Sequence, residues 1–343
     1  MTTRASRYQF RNHITQLHPL QDILDPITRE ELRRIGITAG QHALDVGAGA
    51  GSIAASLCDL VGPAGKVTAI DIDTSLLNPS GILDVYQRDL RTQPLPVDAG
   101  SVDVAVARCL LEHLPNRRAL LQEMITTLRP GGWLILGEIV YAPVIAHAPR
   151  TADSDLIVHV VHGILDVLSA NGVDLHWGDK TPAILTTNGL EQVRTRWTAE
   201  TWTGGSPGCR LLADNARQLH HKLLHEGLTH TDLDHFAVLM TDPAVLVRGY
   251  QFASTTARKP AAMALPGQPS GLPHDHGTTV IAPPSPRPNP PAGDSFPGAV
   301  YARRTHRERR PDDARSGQHG MPVDESSDMY VRGERVARSA RHH

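Results

Sequence analysis

Cysteine is scarce in this chain: Cys58, Cys109 and Cys209 are the only three in 343 residues, and they stand far apart. This excludes a disulfide scaffold and a CxxC zinc module, and it fits a reducing compartment. Aromatic residues are few as well, with four Trp, six Tyr and four Phe, so an aromatic substrate pocket has little to draw on. Charge of one sign is absent: 34 basic residues face 36 acidic ones, for a formal net charge of −2. Without a basic excess, nucleic acid is not an expected partner. No run of 18 apolar residues occurs, and the arginines of Met1–His13 have no apolar segment behind them. Neither a membrane span nor an export signal is therefore expected, and the expected location is the cytoplasm.

Proline and glycine, by contrast, are abundant, and they divide the chain. Residues 260–343 hold 13 of the 26 prolines, and their end is rich in arginine (11 Arg against 9 acids). Ordering a residue's backbone costs roughly 1–2 kcal/mol, and this segment has few large apolar side chains to offset it. It is expected to be a disordered Pro/Arg-rich tail. Residues 1–259 are expected to form one domain.

Within that domain, short apolar runs rich in β-branched residues alternate with helical patterns, as in stacked βαβ units. Strands are predicted at Ala43–Val46, Val67–Asp71, Asp84–Gln87, Val102–Ala107 and Trp133–Ile139. Helices are predicted at Ala54–Val61 and Asn116–Leu128, the second stopped by Arg129-Pro130-Gly131-Gly132. After Val140 the alternation breaks. Helices are predicted near Ser154–Leu168, Arg210–Leu224 and Thr231–Met240, with strands at Gln192–Thr198 and Val247–Ser254. The fold class is α/β, a Rossmann-like doubly wound sheet to which residues 141–245 add lid helices.

The chemistry is concentrated in Asp45-Val46-Gly47-Ala48-Gly49-Ala50-Gly51-Ser52. A buried strand runs into alternating glycines and then a helix, so the backbone turns tightly, lies open to a ligand and presents free N–H groups. Read as GxGxxG from Gly47, the loop has Ser52 where a dinucleotide fingerprint has its last glycine. The next strand ends at Asp71, 20 residues beyond Gly51, where a carboxylate accepts both hydroxyls of a ribose. The third strand leads to Arg88-Asp89-Leu90, a second acid at the same sheet edge and suited to an adenine amino group. Asp45 adds a third. Acids and glycines with no Lys or Arg beside the loop suit a nucleoside with a positive centre better than a pyrophosphate.

These pieces resemble the class I S-adenosylmethionine-dependent methyltransferases. The segments Val102-Asp103-Val104-Ala105-Val106, Leu111-Glu112-His113-Leu114 and Leu128-Arg129-Pro130-Gly131-Gly132-Trp133 also match, all in the family's order, over about residues 40–140. The resemblance implies a seven-stranded sheet with a reversed final hairpin and S-adenosylmethionine as cofactor. It sets Gly47, Gly49 and Gly51 beside the methionine part, Asp71 and the adjoining Ile72 at the ribose, Asp89 and Leu90 at the adenine, and Arg108 near the methionine end or the substrate. The nearest likeness is to small-molecule methyltransferases of quinone biosynthesis and antibiotic tailoring, which implies a small-molecule acceptor. One departure is Ser75–Gly81, which contains Pro79 and is short for the usual helix.

Other patterns carry less. Gly204-Gly205-Ser206-Pro207-Gly208 satisfies GxSxG, but the residue that should donate an oxyanion-hole N–H is Pro207, which has none. Asn289-Pro290-Pro291 lies in the tail and lacks the aromatic of the amino-methyltransferase tetrapeptide. The pairs His221/His225 and His159/His162 have metal-ligand spacing but no HExxH glutamate and no third ligand, so no metal is expected. Cys109 reads as a buried small thiol. His113, just past the fourth strand, is the weak candidate for a catalytic base. Tyr8 and Phe10 are candidates to close over the cofactor. Two other readings compete with methyl transfer: an NAD(P)-dependent oxidoreductase, disfavoured by Ser52 and the lack of a Tyr-x-x-x-Lys pair, and a non-catalytic cofactor-binding protein.

Overall fold

A computed structural model describes residues 14–141 and 143–261. The expected tail from residue 262 onward, with Asn289-Pro290-Pro291, and Tyr8 and Phe10 lie outside the described residues.

Seven strands form the main sheet. They are β1 (His42–Val46), β2 (Lys66–Asp71), β3 (Leu83–Gln87), β4 (Val102–Arg108), β5 (Leu128–Val140), β7 (Glu191–Thr198) and β10 (Gln251–Arg258). Their order is β3-β2-β1-β4-β5-β10-β7. The neighbouring pairs among β1 to β5 are parallel, while β10 runs antiparallel to both β5 and β7. The order reverses beside β1, so the ends of β1 and β4 open a crevice, the place where open α/β sheets bind ligands.

Helices cover both faces because the central strands are apolar on both sides. On one face α2 (Ser52–Val61) sets Ile53, Leu57 and Val61 against Val67, Ala69 and Val104. On the other, α3 (Arg117–Thr127) and α5 (Trp177–Thr187) bury Leu120, Met124, Trp177 and Leu185 against Leu44, Ala105 and Leu134. A third apolar cluster is built by α4 (Thr151–Ala170), α6 (Pro207–Gln218), α7 (His220–His225) and α8 (His230–Leu239). A small antiparallel sheet joins it, β6 (Ile145–His147), β9 (Leu246–Arg248) and β8 (Thr201–Thr203).

Several expectations need correction. The predicted strand Val247–Ser254 is two strands in two sheets: β9 belongs to the small sheet and β10 to the main one. Between them Gly249 passes Trp202 so closely that a Cβ would fall 2.4 Å from its ring. The predicted helix Arg210–Leu224 is divided at Leu219 into α6 and α7. Arg129-Pro130-Gly131-Gly132 does end α3, but it continues as the irregular start of β5, where the register with β4 shifts between Val102 and Val104. Residues 72–82, which include Pro79, form no helix.

The largest unforeseen element is α1 (Ile14–Ile35), which carries Pro19 and Pro26 inside it. It is fixed to the sheet by the buried Glu31, which faces Arg34 at 2.5 Å and Arg196 of β7 at 3.1 Å. Leu20, Ile23, Leu24 and Ile27 pack with Ile139 and Phe252 of β5 and β10. This helix therefore forms a wall over the carboxyl ends of the central strands.

Candidate functional site

The principal cavity opens at those strand ends, between the glycine loop, α1 and the helices of the third cluster. Gly47, Gly49 and Gly51 all have left-handed φ, 76°, 55° and 82°. Non-glycine residues occupy that region at a cost, which explains the alternation seen in sequence. Gly47 and Ala48 donate their N–H groups to the Ile70 carbonyl at 2.8 and 3.0 Å, so the loop is tied to the end of β2. Gly51 caps α2, which has no side-chain cap, and its missing Cβ leaves room for Leu77.

Asp71 ends β2. Its Oδ2 accepts the Gly49 N–H at 2.8 Å and its Oδ1 accepts the Asp73 N–H at 3.0 Å. Burial raises its pKa, against the pull of these N–H groups. Each carboxylate oxygen can still accept a further hydrogen bond, because an ionised carboxylate offers about four lone-pair sites. Asp89 is held otherwise. Arg91 grips both of its oxygens, Nε to Oδ1 at 2.8 Å and Nη2 to Oδ2 at 2.7 Å, and this pairing lowers the Asp89 pKa. Asp89 thus faces the cavity as half of an ion pair, not as the lone acid expected.

Of the other expected residues, Gly47, Gly49, Asp71, Ile72, Asp89, Leu90, Arg108 and His113 line this one cavity; Asp45 and Gly51 are not among its lining residues. Asp45 is buried, with Oδ2 lacking a hydrogen-bond partner. Burial raises its pKa to about 7, and Arg108 counters this only in part. Arg108 reaches the cavity but is engaged: its Nη1 lies 2.6 Å from Asp25 of α1, which also accepts the Ser52 hydroxyl at 3.0 Å.

His113 sits in the short turn Leu111–His113. Burial and then Arg117 lower its pKa to about 3, so its imidazole is neutral at physiological pH and resists protonation. Cys109, which follows β4, has a left-handed φ of 49°, an uncommon state for a residue with a side chain. Cys109 is half-buried on the cavity wall, and its surroundings raise the thiol pKa well above the usual value, which disfavours the nucleophilic thiolate. Ser206 of the GxSxG match precedes α6 as its N-cap, with Pro207 at the first turn. Among the described residues, no three His, Cys, Asp or Glu side chains converge as a metal site.

The sequence reading missed much of the outer wall. Leu17, Leu20, Gln21 and Leu24 of α1 line the cavity, as do Leu211 and Leu219 on the opposite side. It also gave no role to Glu112, which is fully buried yet faces this space. The signal was present: an acid four residues past the end of an apolar strand, directly after Leu110 and Leu111.

Residues 44–136 match the family described as "Methyltransferase domain". A ubiquinone biosynthesis O-methyltransferase of Albidiferax ferrireducens is 30% identical over 136 residues, 37% of this chain and 52% of that protein. Methyltransferase GfsG of Streptomyces halstedii is 27% identical over 197 residues, 56% of this chain and 67% of that protein. A demethylmenaquinone methyltransferase of Oceanobacillus iheyensis is 29% identical over 114 residues, 31% of this chain and 48% of that protein. The chain thus spans about half the length of several curated relatives that it matches.

Proposed function

We propose that this chain, which carries a methyltransferase domain over residues 44–136, transfers the methyl group of S-adenosylmethionine to a small-molecule acceptor, in secondary metabolism. The observation that carries this reading is the contact between Gly49 and Asp71. A left-handed glycine loop and a ribose-type carboxylate meet at 2.8 Å on the wall of one cavity. When bound, the cofactor supplies an already electrophilic methyl group on a positively charged sulfur. The chain's task is then to hold, align and dry.

Holding falls to the loop backbone, to Asp71 and Ile72 for the ribose, and to Asp89 and Leu90 for the base. The charge of the site suits a cation: Arg91 is neutralised by Asp89 and Arg108 by Asp25, while the hydrogen bonds to the Asp71 carboxylate come from backbone N–H groups. Aligning and drying fall to α1, α4 and α6, whose Leu24, Ile164, Leu168 and Leu211 close the chamber with apolar surface. Positioning of a nucleophile in this way supplies roughly 7–11 kcal/mol of a barrier, so no covalent nucleophile is required. His113, neutral and hard to protonate, is poorly suited to be the general base.

The nicotinamide reading is not favoured, since the family match and the named relatives are methyltransferases. A thermal-shift comparison tests the two. S-adenosylhomocysteine is expected to raise the melting temperature of the purified chain and NAD to leave it unchanged; the reverse result overturns the reading.

A further inference from the structure

The acceptor side of the chamber is mainly apolar, with Gln21, Tyr141, Asn215 and Tyr250 among its polar groups, and this makes a buried carboxyl there informative. Leu20, Leu24, Ile164, Leu168, Leu211 and Leu219 face it from three helices and the α6–α7 junction. Against this wall stands Glu112, 0% exposed. The Ile139 N–H interacts with its carboxyl, and neither Oε1 nor Oε2 has a partner in well-aligned hydrogen-bond geometry. The His113 Nε2 lies 3.2 Å from Oε1 without donating to it in good geometry. A carboxyl taken from water without a partner costs free energy, and native chains rarely keep such a group idle. Its backbone is held firmly: the Glu112 carbonyl accepts the Asp174 N–H at 2.9 Å, and the preceding Cys109 N–H is tied to the Gly137 carbonyl at 2.7 Å.

We propose that Glu112 is the acceptor-recognition group of this chamber, and that the acceptor is a neutral, largely apolar molecule whose hydroxyl pairs with the Glu112 carboxyl. This rests on the methyl-transfer reading and names the substrate class of the same site. Complementarity decides the class. A neutral carboxyl offers one O–H donor and an acceptor oxygen, and a hydroxyl offers one of each in return, so the two satisfy each other.

The surroundings keep the carboxyl neutral. Burial pushes the Glu112 pKa up to about 8. From β5 the buried Glu138 faces it as a second acid, itself well above the usual range. Asp174, in the segment after α4, adds a negative charge that favours the neutral carboxyl, and Arg117 of α3 opposes it. His113, Cys109 and Tyr141 are further titratable neighbours, and burial favours the neutral form of each. An anionic acceptor would meet acids here, and a cationic one would lose its hydration to an apolar wall.

The test uses three probes of one shape: 2-naphthol, naphthalene and 2-naphthylmethylammonium. Each is titrated calorimetrically into the protein saturated with S-adenosylhomocysteine, for the native chain, Glu112→Leu and Glu112→Gln. The native chain is expected to bind 2-naphthol at least about tenfold more tightly than either other probe, and Glu112→Leu to lose that preference while holding S-adenosylhomocysteine as before. Infrared difference spectra give a readout that survives if Glu112→Leu fails to fold. A protonated-carboxyl band is expected to shift when 2-naphthol is added, and to be missing in Glu112→Gln. Equal binding of the three probes, no binding of any, preference for the ammonium, or an unshifted band overturns the proposal. Failure of S-adenosylhomocysteine to bind the native chain overturns the cofactor reading instead, and the probes then report on the chamber of the unliganded protein.

Discussion

Arg108 at the end of β4 and Asp25 in the middle of α1 form an ion pair, Nη1 to Oδ1 at 2.6 Å, with side chains only 15% and 7% exposed. The pair joins the strand that ends at the chamber to the helix that walls it. Asp25 also accepts Ser52 at the start of α2 and Arg29 of its own helix. Removing Asp25 would leave Arg108 charged and mostly buried. Asp25→Ala is therefore expected to lower stability by about 3 kcal/mol, and Asp25→Ala with Arg108→Leu to restore part of it. Urea denaturation of the three variants measures both effects.

The glycine loop predicts a separation of stability from binding. At Gly51 an added Cβ would lie 2.7 Å from Leu77, with φ already left-handed. Gly51→Ala is expected to cost roughly 1–2 kcal/mol in folding. At Gly49 the nearest atom to an added Cβ is Leu17 Cδ2 at 3.8 Å, so the added methyl finds room among protein atoms. Gly49→Ala carries a similar φ penalty and, with the cofactor bound as proposed, adds a methyl group beside it, so it is expected to weaken S-adenosylhomocysteine binding the more of the two. Melting curves with and without the ligand separate these outcomes.

Asp45 gives a pH signature. Its pKa rises from 3.8 to about 7 on folding because burial disfavours the charge. A raised folded pKa stabilises below the unfolded value, and that contribution is lost as pH climbs through about 7. Asp45→Asn cannot ionise, so its stability relative to the native chain is expected to improve steadily from about pH 4 to about pH 8. Denaturation at both ends of that window checks the slope, and parallel curves for the two proteins would contradict it.

His113 works in the opposite direction. Burial depresses its pKa from 6.5 to about 3. Its contribution is present above pH 6.5 and is lost as pH falls towards about 3, because the unfolded chain takes the proton first. His113→Gln is expected to flatten this acid limb of the stability profile, measured by denaturation across the same interval.

How much of this was legible in sequence follows from where each signal is local. The strands around Asp45, Asp71 and Val102 stand out because buried parallel strands read as continuous apolar runs, and the glycine loop because only glycine takes three left-handed φ values in five residues. The wall made by α1 was hidden. Pro19 and Pro26 interrupt its pattern, and its charged Asp25 and Glu31 are buried by partners, Arg108 and Arg196, that lie 83 and 165 positions away. Asp89 illustrates the same limit. Its position at the sheet edge could be read from the strand pattern, but its capture by Arg91 depends on side-chain conformation. The division of Val247–Ser254 turns on Gly249 meeting Trp202, a contact across the fold that no local pattern records.

The account depends most on Asp71. Calorimetric titration of S-adenosylmethionine into the native chain and into Asp71→Ala tests it directly. The prediction is a loss of at least about tenfold in affinity, the effect of removing a charge-assisted hydrogen bond, with the melting temperature of the unliganded variant little changed. Equal affinities for the two proteins would contradict the ribose assignment and the site built around it.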